Sequence, residues 1–265
     1  MYSRITELME RCGEIVVSAS SANDINDKIT VKSGDANYVT YYDVKVQEML
    51  ISGLSEILPE AKYIAEESWS DTEEISMDGY TFIIDPIDGT TNFIKDYGHS
   101  GISVALAYNS EIVFGAAYNP YTHQMYTAKR GCGARLNGKL ITMDNGNLTD
   151  GIVAFGTTPY NRQRTHATLM LVEEFLKTSM DIRRSGSAVL DLCDVAAKRS
   201  NLFFELQLMP WDYAAASLIV TEAGGIVTTM DNTALLFNKP CSVLAGTQNA
   251  HRQALEVLKT VNYKI

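Results

Sequence analysis

The apolar run Phe82-Ile83-Ile84 feeds directly into Asp85-Pro86-Ile87-Asp88-Gly89-Thr90-Thr91-Asn92-Phe93, which places two carboxylates three positions apart ahead of a glycine and two hydroxyls. Pro86 fixes its own φ and biases Asp85 toward an extended conformation, so the two carboxylates can converge at a strand end. Gly89 lets the backbone approach a ligand closely. Gly89, Thr90 and Thr91 can open a helical turn whose free N–H groups face an anion. Carboxylates for hard cations beside amides for phosphate are the parts that metal-assisted phosphoryl hydrolysis needs. Taken alone, the same residues also suit a tight bend with no chemistry, since Asp and Gly favour turns. An EF-hand is excluded, because the D-x-D-x-D-G spacing and the closing glutamate are absent.

Two further acidic positions bear on that choice. Ala65-Glu66-Glu67-Ser68 ends a short apolar run, and alone it reads as a solvated acidic loop. Pro210-Trp211-Asp212 opens an alanine-rich helix, and alone Asp212 reads as an N-cap. A shared metal requires these positions to meet in space. His99, His123, His166 and His251 show no paired ligand spacing and read as packing or surface residues. Cys12, Cys132, Cys193 and Cys241 form no CxxC pair, which argues against zinc and thioredoxin-type redox chemistry. They read as buried reduced thiols of a cytoplasmic protein.

The elements that must position these residues follow from periodicity. Ile5, Leu8, Met9, Cys12, Ile15, Val16 and Ala19 recur at helical spacing and predict an amphipathic helix. The polar stretch Ser20–Asp27 precedes a strand at Ile29–Lys32, and a second helix is predicted over Asp43–Leu58, stopped by Pro59. Strands are predicted at Tyr63–Ala65, Tyr80–Ile84, Ser100–Tyr108, Ile112–Tyr118 and Gln124–Ala128, with hairpin signals at Asn109–Ser110 and Asn137–Gly138. In the second half the pattern gives strands at Ile152–Phe155, Phe203–Leu206, Ile226–Thr229 and Ser242–Ala245. Helices are predicted there over Thr165–Lys177, Ala188–Arg199, Asp212–Glu222 (ended by Gly224–Gly225) and Gln248–Val261. Strands and helices run in blocks, which favours a layered α+β arrangement over a doubly wound sheet. A seam near Asp144–Asp150 suggests an N-terminal half, 1–146, with most of the acidic positions, and a C-terminal half, 147–265, with Asp212.

Composition sets outer bounds. The chain has 265 residues, 46% of them hydrophobic and 20% charged, which is ample for a core and unlike a disordered segment. A net charge of −10 argues against general nucleic-acid binding, although bound cations would still admit an anionic substrate. No run of 18 apolar residues exists, so no spanning helix is expected. Glu7, Glu10 and Glu14 interrupt Met1–Ser20, so a signal peptide is not expected either.

Read together, these segments resemble the inositol monophosphatase family. Glu66-Glu67-Ser68, Asp85-Pro86-Ile87-Asp88-Gly89-Thr90-Thr91-Asn92-Phe93 and Trp211-Asp212 with Ala214-Ala215 match its motifs in order. So do Gly131-Cys132-Gly133-Ala134 with Asn137-Gly138, Arg183 with Gly186-Ser187-Ala188, and Thr221-Glu222-Ala223-Gly224-Gly225. The resemblance runs from about Lys32 to Gly225 and implies an αβαβα sandwich, two or three Mg²⁺ ions, lithium sensitivity in many members and a homodimer. It implies that Glu66, Asp85 and the Ile87 carbonyl hold a first metal, and that Asp85, Asp88 and Asp212 hold a second. Glu66 also serves a third metal through water. Thr90, partnered by Asp43 behind Val39-Thr40, resembles the residue that activates the attacking water. Resemblance further assigns the phosphate to the amides of Gly89 and Thr90, and substrate contacts to Gly186, Ala188, Glu205 and Asp212. The implied activity is hydrolysis of a small phosphate monoester, inositol monophosphate first. Fructose-1,6-bisphosphate and 3′-phosphoadenosine-5′-phosphate are alternative substrates, and a catalytically idle binding or regulatory protein is an alternative of another class. Thr91-Asn92-Phe93 favours the inositol branch over the nucleotidase branch. Lys198, Ser200-Asn201, Met209 and Ala216 depart from common family choices and are expected around the sugar-facing half.

Overall fold

The computed structural model describes residues 1–20, 29–33, 37–69 and 76–263. Apart from Ser20, the polar stretch Ser20–Asp27 lies outside the described residues. The chain opens with α1 (Tyr2–Ser20), a two-stranded ribbon of β1 (Ile29–Ser33) and β2 (Asn37–Thr40), and α2 (Tyr41–Ile57). Then come β3 (Lys62–Ala65), β4 (Tyr80–Asp88), the short α3 (Thr90–Ile94), β5 (Gly101–Tyr108), β6 (Glu111–Asn119), β7 (Gln124–Lys129), β8 (Ala134–Leu136) and β9 (Lys139–Ile141). These seven strands form one sheet in sequence order, with β3 parallel to β4 and every later pair antiparallel.

A second, five-stranded sheet has the order β11-β10-β12-β14-β13. It is built from β10 (Ile152–Phe155), β11 (Asp181–Arg183), β12 (Leu202–Leu208), β13 (Ile226–Thr228) and β14 (Cys241–Gly246). Its helices are α4 (Thr165–Thr178), α5 (Ala188–Ala196), α6 (Pro210–Glu222) and α7 (Gln248–Leu258).

Strand alternation builds the layers. Phe82, Ile84, Val104 and Leu106 point to one face of the large sheet, where they pack on Leu8, Met9 and Cys12 of α1 and Val46, Leu50 and Leu54 of α2. Ile83, Ala105, Ala107 and Ala117 point to the other face, toward α5 and α6. On the far side of those helices lies Phe203 of β12, while Phe204 and Leu206 face outward onto α4 and α7. The layering is therefore helix, sheet, helix, sheet, helix, the αβαβα sandwich expected. Both faces of the large sheet are covered, and β4 is buried along nearly its whole length. Helix α6 is apolar all round because it lies between two sheets.

Both hairpin signals hold. Asn109 and Ser110 take φ values of 49° and 68° between paired Tyr108 and Glu111. Asn137 and Gly138 do the same, at 49° and 77°, between Leu136 and Lys139. The short strands β8, β9 and β11 carry no periodic signal and were not expected. The cysteines depart from expectation in one respect: Cys12 and Cys193 are buried and Cys241 is half-buried, but Cys132 is exposed. No described helix is long and apolar enough to cross a membrane.

Candidate active site

A β-bulge brings the two motif carboxylates to one side. Asp85 pairs with Ser103 and Asp88 with Gly101, so three steps along β4 oppose two along β5. In a regular strand, residues three apart point to opposite faces, and the extra residue restores a common side. Pro86 sits in the bulge, where its missing N–H costs no ladder bond. Asp85 Oδ1 accepts from the Ile87 amide at 3.0 Å, which fixes its side chain over the proline.

Asp88 is held from across the sheets. Its Oδ2 accepts from the Ser187 hydroxyl and from the Val189 amide at 2.8 Å. Ser187 is also the N-cap of α5, so the carboxylate lies at a helix N-terminus, where negative charge is favoured. Burial still dominates and pushes the Asp88 carboxyl up to about 7, against the lowering effect of those hydrogen bonds.

Asp212 is not the N-cap that the sequence suggested. The helix starts two residues earlier, at Pro210, with Met209 as N-cap, and Asp212 occupies the third helical position. Its Oδ2 reaches back to accept from the Met209 amide at 2.8 Å. Proline is well suited to the first helical position, which explains the earlier start.

One carboxylate oxygen each from Asp85, Asp88 and Asp212 lies within 4.8 Å of the others, and all three side chains are buried. None forms an ion pair among the described residues. Burial and then the neighbouring carboxylates of Glu66, Asp88, Asp212 and Asp43 raise the Asp85 pKa well above the usual range. Asp212 is raised by burial, then by Asp88 and Glu66. An oxygen-only donor set of this charge fits a hard divalent cation such as Mg²⁺.

The cleft around this cluster is lined by Glu66, Ile87, Gly89, Thr90, Gly186, Ala188 and Glu205 as well as the three aspartates. It therefore collects every sequence-assigned site residue except Asp43. Asp43 lies behind it, fully buried, and its Oδ1 accepts from the Thr90 hydroxyl at 3.4 Å. The Thr90 hydroxyl also lies 3.3 Å from the Ile87 carbonyl oxygen. Gly89 takes φ 88°, and a Cβ there would stand 2.9 Å from the Gly186 carbonyl oxygen, so conformation and space both require glycine. Asn92 fastens the Gly186 loop by donating to the carbonyls of His99 (2.7 Å) and Ser185 (3.0 Å). Glu205 is buried and pushed up to about 7 by that burial, against the amide of Thr158, which donates to it at 2.7 Å. No histidine or cysteine lines the cleft.

Sequence reasoning missed Ser187, Thr158, Tyr160 and Arg184. Ser187 carried a usable signal, a serine just ahead of an apolar helix. The others carried none, because loops 156–161 and 183–187 meet only in the folded chain. The family departures do not sit where they were expected, since none of Lys198, Ser200, Asn201, Met209 or Ala216 lines the cleft. Lys198 takes φ 64°, in the left-handed region that favours glycine, and its ammonium lies 3.5 Å from Asp144 at the surface.

The five alternating layers, with an acidic cleft where the end of β4 meets the starts of α5 and α6, define a layered α+β sandwich protein. Within that class the chain belongs to the inositol monophosphatase family, whose model matches residues 1–263. It is 37% identical over 227 residues to inositol monophosphatase 1 of Homo sapiens, covering 83% of this chain and 80% of that one. It is 36% identical over 203 residues to the Nus factor SuhB of Vibrio cholerae, covering 75% and 74%. The crystal structure of the extragenic suppressor protein suhB from Bartonella henselae superposes with a TM-score of 0.88 at 31% identity, over 97% of this chain and 98% of that one.

Proposed function

We propose that this chain is a magnesium-dependent phosphoric monoester hydrolase acting on small phosphorylated polyols or sugars, with inositol monophosphate as first candidate. The observation that carries the reading is the convergence of Asp85, Asp88 and Asp212 within 4.8 Å, with no ion pair to any of them among the described residues. Glu66, Asp85 and the Ile87 carbonyl would hold one ion, Asp85, Asp88 and Asp212 a second, and Glu66 a weaker third through water. Bound Mg²⁺ supplies an acidified water and neutralises charge on phosphate and leaving oxygen.

The chain's own groups supply the positioning. The Thr90 hydroxyl, oriented by Asp43, would take a proton from the attacking water as its own proton passes to Asp43 Oδ1. The amides of Gly89 and Thr90 orient the phosphate oxygens at the start of α3. Gly186 and Ala188 form the floor opposite, and Glu205 with Asp212 accepts hydrogen bonds from the leaving alcohol. The absence of histidine and cysteine from the cleft lining supports direct attack by water rather than a covalent intermediate on either residue type. The same reading carries a homodimer and a cytoplasmic setting as family expectations.

The relative named as a Nus factor supports a second reading, in which the chain acts as a binding or regulatory partner. Retention of the full acidic set favours catalysis, because an idle binder has no use for Asp85, Asp88 and Asp212 buried together with no ion pair among the described residues. Phosphate release is to be measured with and without Mg²⁺ on inositol 1-phosphate, fructose-1,6-bisphosphate, β-glycerophosphate and 3′-phosphoadenosine-5′-phosphate. Mg²⁺-dependent release is expected, fastest on inositol 1-phosphate, and Asp85→Asn should lower kcat by about a hundredfold or more while the protein stays folded. Wild-type turnover by that variant at saturating Mg²⁺, or no release from any of the four by the native chain, would falsify the reading.

A further inference from the structure

The outer wall of the cleft is the segment 156–161, which leaves β10 and is fastened to β12. Thr158 is buried at φ 45°, and besides its amide bond to Glu205 its hydroxyl reaches the Gln207 carbonyl at 3.3 Å. The Asn161 amide closes a turn on the Thr158 carbonyl at 2.9 Å, with Pro159 and Tyr160 as the two central residues. Proline at the first central position sets the turn's φ in advance. Beyond the turn, Asn161 Nδ2 and Arg164 Nε both donate to Gln207 Oε1, at 3.2 and 2.9 Å. Tyr160 thus projects from a turn that is clamped on both sides, by Glu205 before it and Gln207 after it.

Tyr160 lines the cleft. It is 47% exposed, and its hydroxyl makes no hydrogen bond with any described residue. Partial desolvation in the cleft, then the carboxylates of Asp212, Glu205, Glu66 and Asp88, raise its pKa above the usual value, so the hydroxyl keeps its proton. Facing it across the mouth is Arg184, which donates to the Thr157 hydroxyl at 3.4 Å and so joins the two walls.

We propose that Tyr160 recognises the leaving-group alcohol, its phenol donating a hydrogen bond to a ring hydroxyl of a cyclic polyol or sugar phosphate seated between Glu205, Asp212 and Arg184. The inference rests on the phosphatase reading above and specifies its substrate class. In their ionised forms Glu205 and Asp212 only accept hydrogen bonds, and each alcohol hydroxyl that donates to them keeps lone pairs free. Tyr160 supplies a donor for those lone pairs from a turn whose position is already fixed, so little ordering cost falls on binding. A phosphate ester whose alcohol carries no further hydroxyl cannot use it.

The test compares Tyr160→Phe with the native enzyme on inositol 1-phosphate and on phenyl phosphate, with Mg²⁺ present. Removing one neutral hydrogen bond should lower the ratio of the two kcat/KM values about fivefold, through KM for inositol 1-phosphate rather than through kcat. An unchanged ratio, or an equal loss on both esters, overturns the assignment and leaves Tyr160 a packing residue. A native enzyme that releases phosphate neither from phenyl phosphate nor from any of the four substrates above overturns the phosphatase reading instead, so that failure is distinguishable from an unchanged ratio. Tyr160→Phe keeps the ring, and an unchanged melting midpoint separates lost recognition from lost structure.

Discussion

Asp43 serves two structures with one carboxylate. Its Oδ2 accepts from the Thr40 amide at 2.8 Å and from the Thr40 hydroxyl at 2.5 Å, while the Thr40 hydroxyl accepts from the Asp43 amide at 3.3 Å. That is a capping box for α2, and Oδ1 is left facing Thr90. The two roles separate by substitution. Asp43→Ala removes the cap and leaves buried donors unsatisfied, so it should cost about 1–2 kcal/mol by urea unfolding. Asp43→Asn keeps one acceptor oxygen for the Thr40 amide and should change stability much less. Its amide group turns a donor toward Thr90, so kcat should fall about tenfold with little change in KM. An Asn variant with native kcat would detach Asp43 from the chemistry and leave it a cap alone. At this scale the acidic residues were legible, because the chemistry of Asp85, Asp88 and Asp212 is carried by residue type. The bulge that turns Asp88 to the side of Asp85 was not, since the offset depends on the register of β5, which no local pattern states.

Helix α6 and the large sheet approach each other more closely than ordinary side chains allow. A Cβ at Gly115 of β6 would lie 2.5 Å from the Ala215 carbonyl oxygen, a backbone atom that cannot rotate away. The alanines of α6 and Ala105, Ala107 and Ala117 of the sheet permit the same approach, and the Ser103 hydroxyl bonds the Trp211 carbonyl at 3.2 Å across the gap. This packing sets the height of Asp212 relative to Asp85 and Asp88. Gly115→Ala should therefore destabilise by about 1–3 kcal/mol through overpacking and weaken Mg²⁺ dependence at a distance from the metal. A variant that melts with the native protein would show that the gap can widen freely. Elements of this length were read well where the apolar pattern is sustained, on one face in α1 and on both in β5. Helix α6 was recognised from its alanines, but its start was placed late because Asp212 looked like a cap. Strands of three residues, β8, β9 and β11, are shorter than any periodicity can register.

The whole molecule concentrates negative charge where the end of β4 meets the starts of α5 and α6. The chain carries a net charge of −10, and the cluster formed by Asp85, Asp88 and Asp212 lies buried among its layers with no ion pair among the described residues. Blocks of strands and helices made the layered class legible, and α1 was legible as an amphipathic helix. Which helices would lie between the sheets could not be seen, because α5 and α6 are recognisable as internal only once β12 pairs with β10 and β14. The cost of that arrangement is like-charge repulsion in a medium that screens poorly. A cation bound by the folded chain alone adds stability by mass action, about 2.7 kcal/mol at a hundred times its Kd. For a chain of this size that corresponds to a rise of roughly 5 °C or more in the melting midpoint. Mg²⁺ should produce that rise where KCl of equal ionic strength does not. Asp85→Asn keeps an oxygen for the Ile87 amide and removes one of the repelling charges. Its midpoint without Mg²⁺ should therefore equal or exceed that of the native chain, while its response to Mg²⁺ should shrink to a small fraction. Equal Mg²⁺ responses in the two proteins, measured by scanning calorimetry, would mean that the ion acts elsewhere and that the buried cluster owes its persistence to something other than metal.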